Sequence, residues 1–271
     1  MPTFDARGFE IYYEVHGEGS GDPLLYITGL GGSCQAWNVV TVPELAQDRQ
    51  NIVFDSRGVG KTGDPGQPYT TADLADDALC VLDHVGIERA HVVGTFLAGL
   101  VAQELALRHP DRVRSLMLMG TYARMTAKLR MIVGLWKEAF DRGVPADMRI
   151  RNWLTWTLGD AAVEKDDLVE GIWSFHLEDD ALVDNKTFAR QAQACLDHDT
   201  FDRLGEIEAP ALIACGERDI LTPPDIHREL AHRLSNARLV IFRGVGHTIL
   251  AEVAQRFNRM ANRFMREVEG G

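Results

Sequence analysis

From Val92 to Gly99 the chain reads Val-Val-Gly-Thr-Phe-Leu-Ala-Gly, an apolar run that passes directly into a helical pattern. Small residues at Gly94 and Ala98 flank a central Phe96. This is the arrangement of a nucleophile elbow, a sharp strand-to-helix turn that presents its middle side chain and tolerates only small neighbours. Phenylalanine has no lone pair and no ionisable proton, so a turn built on it cannot form an acyl-enzyme. The adjacent Thr95 carries a hydroxyl, but such a turn directs only its central side chain to the mouth of a site. Ser33 and Cys34, which follow Gly31-Gly32, could line a pocket, yet neither has an assignable base nearby in sequence. Gly58-Val-Gly60-Lys61-Thr62 ends like a phosphate-binding loop. The full pattern needs a glycine where Asp55 stands, and a carboxylate there repels phosphate, which argues against nucleotide binding. Cys34, Cys80, Cys195 and Cys215 are far apart, with no CxxC pair and no histidine at metal spacing. Neither a disulfide framework, a metal site nor a cofactor is expected.

Such a turn needs a parallel sheet to hold it, and the chain supplies the pattern for one. An alternating segment at Phe9–His16 reads as an antiparallel strand. Short apolar runs at 24–27, 52–54, 90–93, 115–119, 211–214 and 237–242 read as buried strands, each followed by glycine or another turn former. Helical spacing at 71–85 and 100–108 ends at Gly86 and Pro110. The fold class is α/β: a mostly parallel central sheet with helices on both faces and a helical cap insertion. Residues 1–123 and 206–271 form the core domain in this reading, and 124–205, helical throughout, form the cap. Four of the five tryptophans lie in that insertion. Trp136, Trp153 and Trp156 are the candidates to roof a substrate pocket.

The balance of 28 Lys+Arg against 40 Asp+Glu gives a net charge of −12. With no basic run, this repels phosphate backbones and anionic lipid, so nucleic acid and membrane surfaces are excluded as partners and a small, uncharged molecule is favoured. No apolar stretch approaches the roughly 20 residues of a membrane span, and a soluble, cytoplasmic protein is expected.

Five segments also occur in a family's order: Thr28-Gly-Leu-Gly-Gly32, Asp55-Ser-Arg-Gly-Val-Gly60, residues 94–99, Gly216-Glu-Arg-Asp219 with Pro223-Pro224, and Gly246-His247. On these, the chain from about residue 8 to 264 resembles the α/β-hydrolase superfamily, its esterases and lactonases in particular. The resemblance implies that Phe96 occupies the nucleophile position, that Asp219 is the acid and His247 the base, and that the amides of Leu30 and Leu97 form the oxyanion hole. The family's alternative acid slot holds only Thr121 and Tyr122. Where the family usually has His-Gly this chain has Thr28-Gly29, and Thr28 either joins Thr95 as a pocket candidate that donates a hydrogen bond or is a structural residue of the loop. Three readings follow. The chain is a nucleophile-less enzyme with a His-Asp general base, a serine esterase or lactonase altered at position 96, or a non-catalytic ligand-binding protein.

Overall fold

The computed structural model describes residues 2–178 and 183–270. Eight strands, β1 (Thr3–Ala6), β2 (Phe9–His16), β3 (Gly21–Tyr26), β4 (Arg49–Phe54), β5 (Ala90–Thr95), β6 (Val113–Met119), β7 (Ala211–Gly216) and β8 (Ala237–Phe242), form one sheet in the order β1-β2-β4-β3-β5-β6-β7-β8. β2 runs antiparallel to both β1 and β4, and the pairings from β4 through β8 are parallel. The helices among the described residues are α1 (Gln35–Val40), α2 (Val42–Leu45), α3 (Thr71–His84), α4 (Leu97–Arg108), α5 (Ala127–Asp141), α6 (Ala146–Thr157), α7 (Asp160–Val163), α8 (Asp166–Glu178), α9 (Asn185–Asp197), α10 (Pro224–Arg233) and α11 (Ile249–Gly270).

Alternation along the central strands builds two apolar layers, because successive side chains leave opposite faces of a sheet. Leu25, Val92, Leu116 and Ile213 face α3 and α4 with Leu74, Val81, Leu100 and Leu105. Leu24, Val93, Met117 and Leu212 face α11 with Phe257, Phe264 and Met265. Helix α3 starts on a capping box in which the Thr70 side chain and the Asp73 carboxylate satisfy each other's backbone amides.

The sequence reading misses β1, which carries little apolar pattern and is held as the outer strand of a hairpin. Its turn uses Arg7 and Gly8, both at positive φ. Helix α4 begins at Leu97, three residues before the expected 100, because the turn at Phe96 passes straight into it. Between β6 and β7 the described residues form α5 to α9, joined at the base by a bridge between Arg124 and Asp199. Residues 179–182 of the expected insertion lie outside the described residues. Among the described residues no helix is long and apolar enough to cross a membrane.

Candidate active site

The parallel strands end at one edge of the sheet, and three loops meet there. In the first, β5 delivers the chain to residue 96 and α4 leaves from residue 97. Phe96 has φ 51° and ψ −112°, a backbone state that costs a residue with a side chain about 1–3 kcal/mol. The surroundings hold it there. Its amide donates to Met119 O at 3.1 Å, and its carbonyl accepts from Gly99 N at 3.0 Å and Thr121 Oγ1 at 2.9 Å. Gly94 is obligatory, since a Cβ there would lie 2.5 Å from the Ala98 carbonyl carbon. The Phe96 ring is buried and packs edge-on to Tyr122 and His247, each with centroids 5.7 Å apart.

Gly29 stands against Thr95, so the glycine loop at 28–32 borders this turn. The amides of Leu97, at the N-terminus of α4, and of Leu30, in the glycine loop, find no acceptor among the described residues. Two unpartnered amides, one of them at a helix N-terminus, suit a developing negative charge.

Asp219 and His247 come from the loops after β7 and β8. Asp219 Oδ1 accepts the amides of Leu221 at 2.9 Å and Thr222 at 2.8 Å. Its Oδ2 accepts the Thr222 hydroxyl at 2.8 Å and faces His247 Nδ1 at 2.8 Å. Burial alone would raise this carboxyl, but the charge of His247 and the hydrogen bonds from His247 and Thr222 outweigh it and hold Asp219 below the ordinary carboxylate range. With Nδ1 held by the carboxylate, Nε2 is left to act on the cavity that His247 lines. The His247 ring lies over Gly120, where a Cβ would stand 2.7 Å from Cε1. The His247 amide donates to Thr157 O, at the end of α6, at 2.7 Å.

Beneath this pair lies the buried His227, whose Nε2 accepts the Thr121 amide at 3.2 Å and whose Nδ1 faces Pro223 O at 3.3 Å. Burial pushes it down to about 4, so it is neutral, with Nδ1 protonated to donate to the carbonyl.

A cavity of about 680 Å³ opens over these loops, lined by Leu30, Phe96, Trp136, Trp153, Phe175 and His247 among others. A second, of about 450 Å³, shares Leu30, Trp136, Trp153 and His176 with it and adds Trp156 and Phe140. Trp136 and Trp153 therefore share a wall with Phe96, while Trp156 faces the adjoining chamber. The Trp136 indole donates to Asn152 Oδ1 at 3.1 Å, which fixes its ring.

Phe96, Asp219, His247, Leu30, Thr95 and the three tryptophans thus gather at one edge of the sheet. Thr28 does not line either cavity. Its hydroxyl lies 2.7 Å from Ser56 Oγ, at the end of β4, and both are buried, so Thr28 serves to join two loops. Ser33 reaches the larger cavity, whereas the Cys34 thiol is buried, with burial raising its pKa far above that of a free thiol. Asp55, which breaks the phosphate-loop pattern, takes the amides of Cys34 at 2.8 Å and Lys61 at 3.0 Å and so organises that loop itself.

Sequence reasoning did not single out Thr222, Gly120, His176 or His227. The turn Thr222-Pro-Pro224, which begins three residues after Asp219, was the available signal for the first of these.

Sheet order, strand-to-helix turn, and an acid and a histidine on successive late loops together define the α/β-hydrolase architecture. The chain belongs to the alpha/beta hydrolase fold family, whose model matches residues 22–253. A protein of Azorhizobium caulinodans named as a carbamate hydrolase is 29% identical over 277 residues, covering 99% of this chain and 100% of its own length. The 2-hydroxymuconate semialdehyde hydrolase of a Pseudomonas species is 29% identical, over 94% of this chain and 90% of that protein. Among solved structures, the enol-lactonase from Burkholderia xenovorans matches with a TM-score of 0.88 at 25% identity, covering 98% of this chain and 100% of that one. The relatives are enzymes of this family.

Proposed function

We propose that the chain is an enzyme that uses the His247–Asp219 pair as a general base on a small, mainly apolar carbonyl compound, with no covalent intermediate. The observation that carries this reading is the hydrogen-bonded Asp219–His247 pair, 2.8 Å between Asp219 Oδ2 and His247 Nδ1, with a phenyl ring at the turn beside it. In the hydrolytic version, His247 Nε2 takes a proton from water as the water oxygen attacks the carbonyl carbon. The amides of Leu30 and Leu97 hold the resulting oxyanion, and His247 returns the proton to the leaving group as the tetrahedral adduct collapses. In the non-hydrolytic version, of lyase, isomerase or cyclase type, the same base takes a proton from the substrate and the same amides hold the enolate. The hydrolase names of the relatives favour the first.

Residues 124–205 act in this proposal as a cap, with Trp136 and Trp153 over the reacting group and Trp156 toward the substrate's far end. The mostly apolar lining and the net charge of −12 both suit a neutral ligand. A second reading, a serine esterase or lactonase altered at position 96, is favoured by the intact surroundings of the turn, where Gly94, Gly99 and Gly120 all remain at positions that admit no side chain.

A panel of small aryl esters, carbamates and enol lactones tests the proposal. Replacing His247 with Ala lowers turnover of any active member by about 10²- to 10⁴-fold while the fold is kept. Full activity in that variant, or an acyl adduct on the unaltered chain by mass spectrometry, overturns the proposal.

A further inference from the structure

We infer that Glu252 is a positioning residue that ties His247 to the helices above the cavity, so that the base is placed by the roof of the pocket as well as by the sheet beneath. Glu252 Oε1 accepts the amide of Gly246 at 3.0 Å and that of Gly159 at 3.2 Å. Gly246 immediately precedes His247, and Gly159 lies between α6 and α7, so one carboxylate oxygen joins the histidine loop to the roof. Thr157 completes the joint. Its carbonyl accepts the amides of His247 at 2.7 Å and Thr248 at 3.1 Å, and the Thr248 hydroxyl at 3.3 Å.

The two backbones approach so closely that glycine is required on both sides. A Cβ on Gly246 would lie 2.3 Å from Gly159 N, and one on Gly159 would lie 2.9 Å from Gly246 N. The stretch carrying the base is also set off from its own helix. Val253, at φ −144° and ψ 34°, interrupts α11 directly after Glu252, and Gly244, at φ 73°, breaks the backbone on the other side.

The stretch 245–252 is therefore bounded by a backbone break at each end and bonded in the middle to the end of α6. That helix carries Trp153, which lines both cavities. Glu252 is half-buried. Burial raises its carboxyl, the amides of Gly246 and Gly159 work against that, and Lys165 is the cation that acts on it. A ligand that displaces Trp153 acts on the end of α6, and through Thr157 and Glu252 on His247. The catalytic consequence rests on His247 being the base, but the joint itself is measurable without substrate.

The test uses the ligand-free chain, with the His247 Nδ1 proton observed by NMR after nitrogen-15 labelling of histidine and the backbone amides followed by hydrogen exchange. Glu252→Ala removes the acceptor, Glu252→Asp withdraws it by one methylene, and Glu252→Gln keeps Oε1 in place. Glu267→Gln, on the same helix but paired with Arg238 and Arg263, is the control. The inference predicts that Ala and Asp speed exchange of the Gly159 amide and the His247 ring proton together, by about two- to tenfold, as expected for losing one net hydrogen bond. Gln and the control stay near the unaltered chain. If Ala does not fold, Asp carries the same comparison. Faster exchange at Gly159 with an unchanged His247 ring, no change at either, or a Gln variant as perturbed as Asp each overturns the inference. Failure of His247→Ala to lose activity would instead overturn the proposed base and leave this joint standing.

Discussion

The turn at Phe96 and the two other loops that meet it at the edge of the sheet differ in what they retain. The turn at Phe96 keeps its backbone in full: a positive φ, a carbonyl held by Thr121 Oγ1, a glycine at 94 whose Cβ would clash with α4, and a Leu97 amide with no acceptor among the described residues. It has no reactive side chain. The loops bearing Asp219 and His247 keep both the backbone and the side chains, down to the Thr222 hydroxyl on Asp219. Backbone donors and turn geometry follow from the strand, the helix and the glycines, and they survive a change of the central side chain. An acid–base pair exists only through its side chains. Its alignment beside an inert turn is therefore the more informative of the two features, and it is what the general-base proposal rests on.

The acid–base side is broken most severely by Asp219→Asn. This removes the charge that holds His247 in the tautomer with Nε2 free, and turnover falls by about 10²- to 10⁴-fold. A loss of less than about threefold would place Asp219 outside the proton path. Gly120→Ala strikes where the loops touch. The added Cβ would meet the His247 ring at 2.7 Å from a backbone at φ 50°, so stability to urea falls by about 1–3 kcal/mol and the base is displaced. An unchanged midpoint with unchanged turnover contradicts the packing described. Thr222→Val sharpens the contrast more gently. It deletes one hydrogen bond to Asp219, worth about 1 kcal/mol, and turnover drops several-fold with little change in KM.

The histidines extend the comparison to pH. Burial is the largest cause that pushes His91 and His227 down to about 4 and His198 to about 3, so all three are neutral in the folded chain at pH 6. In the unfolded chain they titrate near 6.5. Between pH 6.5 and 4 the unfolded state thus binds protons that the folded state does not, and stability falls as pH falls through that window. The melting temperature should decline from pH 7 to pH 4.5; a flat or rising profile contradicts neutral burial of these groups.

Where burial is on both sides of a strand, the sequence announces it. The runs that became β5, β6 and β7 are mostly apolar, with His91, Thr95, Arg114 and Ser115 as the polar exceptions, and their ends were legible to within two residues. β1 was not legible, because a four-residue outer strand is specified by its hairpin turn and by β2 more than by its own pattern. In the site, Asp219 and His247 were legible because glycine-rich contexts mark the loops that carry them. For Thr28 the sequence left a pocket hydroxyl and a structural loop residue both open, because its partner, Ser56, arrives from another loop 28 residues away, and nothing local says which way the hydroxyl turns. His176 and Phe175 reach the cavity from α8, and which face of a helix meets a pocket depends on packing that the spacing of aromatics does not fix. The anchoring of His247 by Thr157 is a backbone contact and leaves no trace in residue type.

The central claim is that a complete acid–base and oxyanion apparatus surrounds a residue unable to attack. Phe96→Ser tests it most directly, with hydrolysis of para-nitrophenyl acetate as the readout. The serine hydroxyl would arise on the turn whose present ring packs against His247, and loss of the phenyl ring makes room for an acyl group. The account predicts an acyl-serine and an accompanying rise in ester hydrolysis in the variant, with no acyl adduct in the unaltered chain. A folded Phe96→Ser variant that keeps the Asp219–His247 hydrogen bond yet hydrolyses no ester across a range of acyl lengths would contradict it.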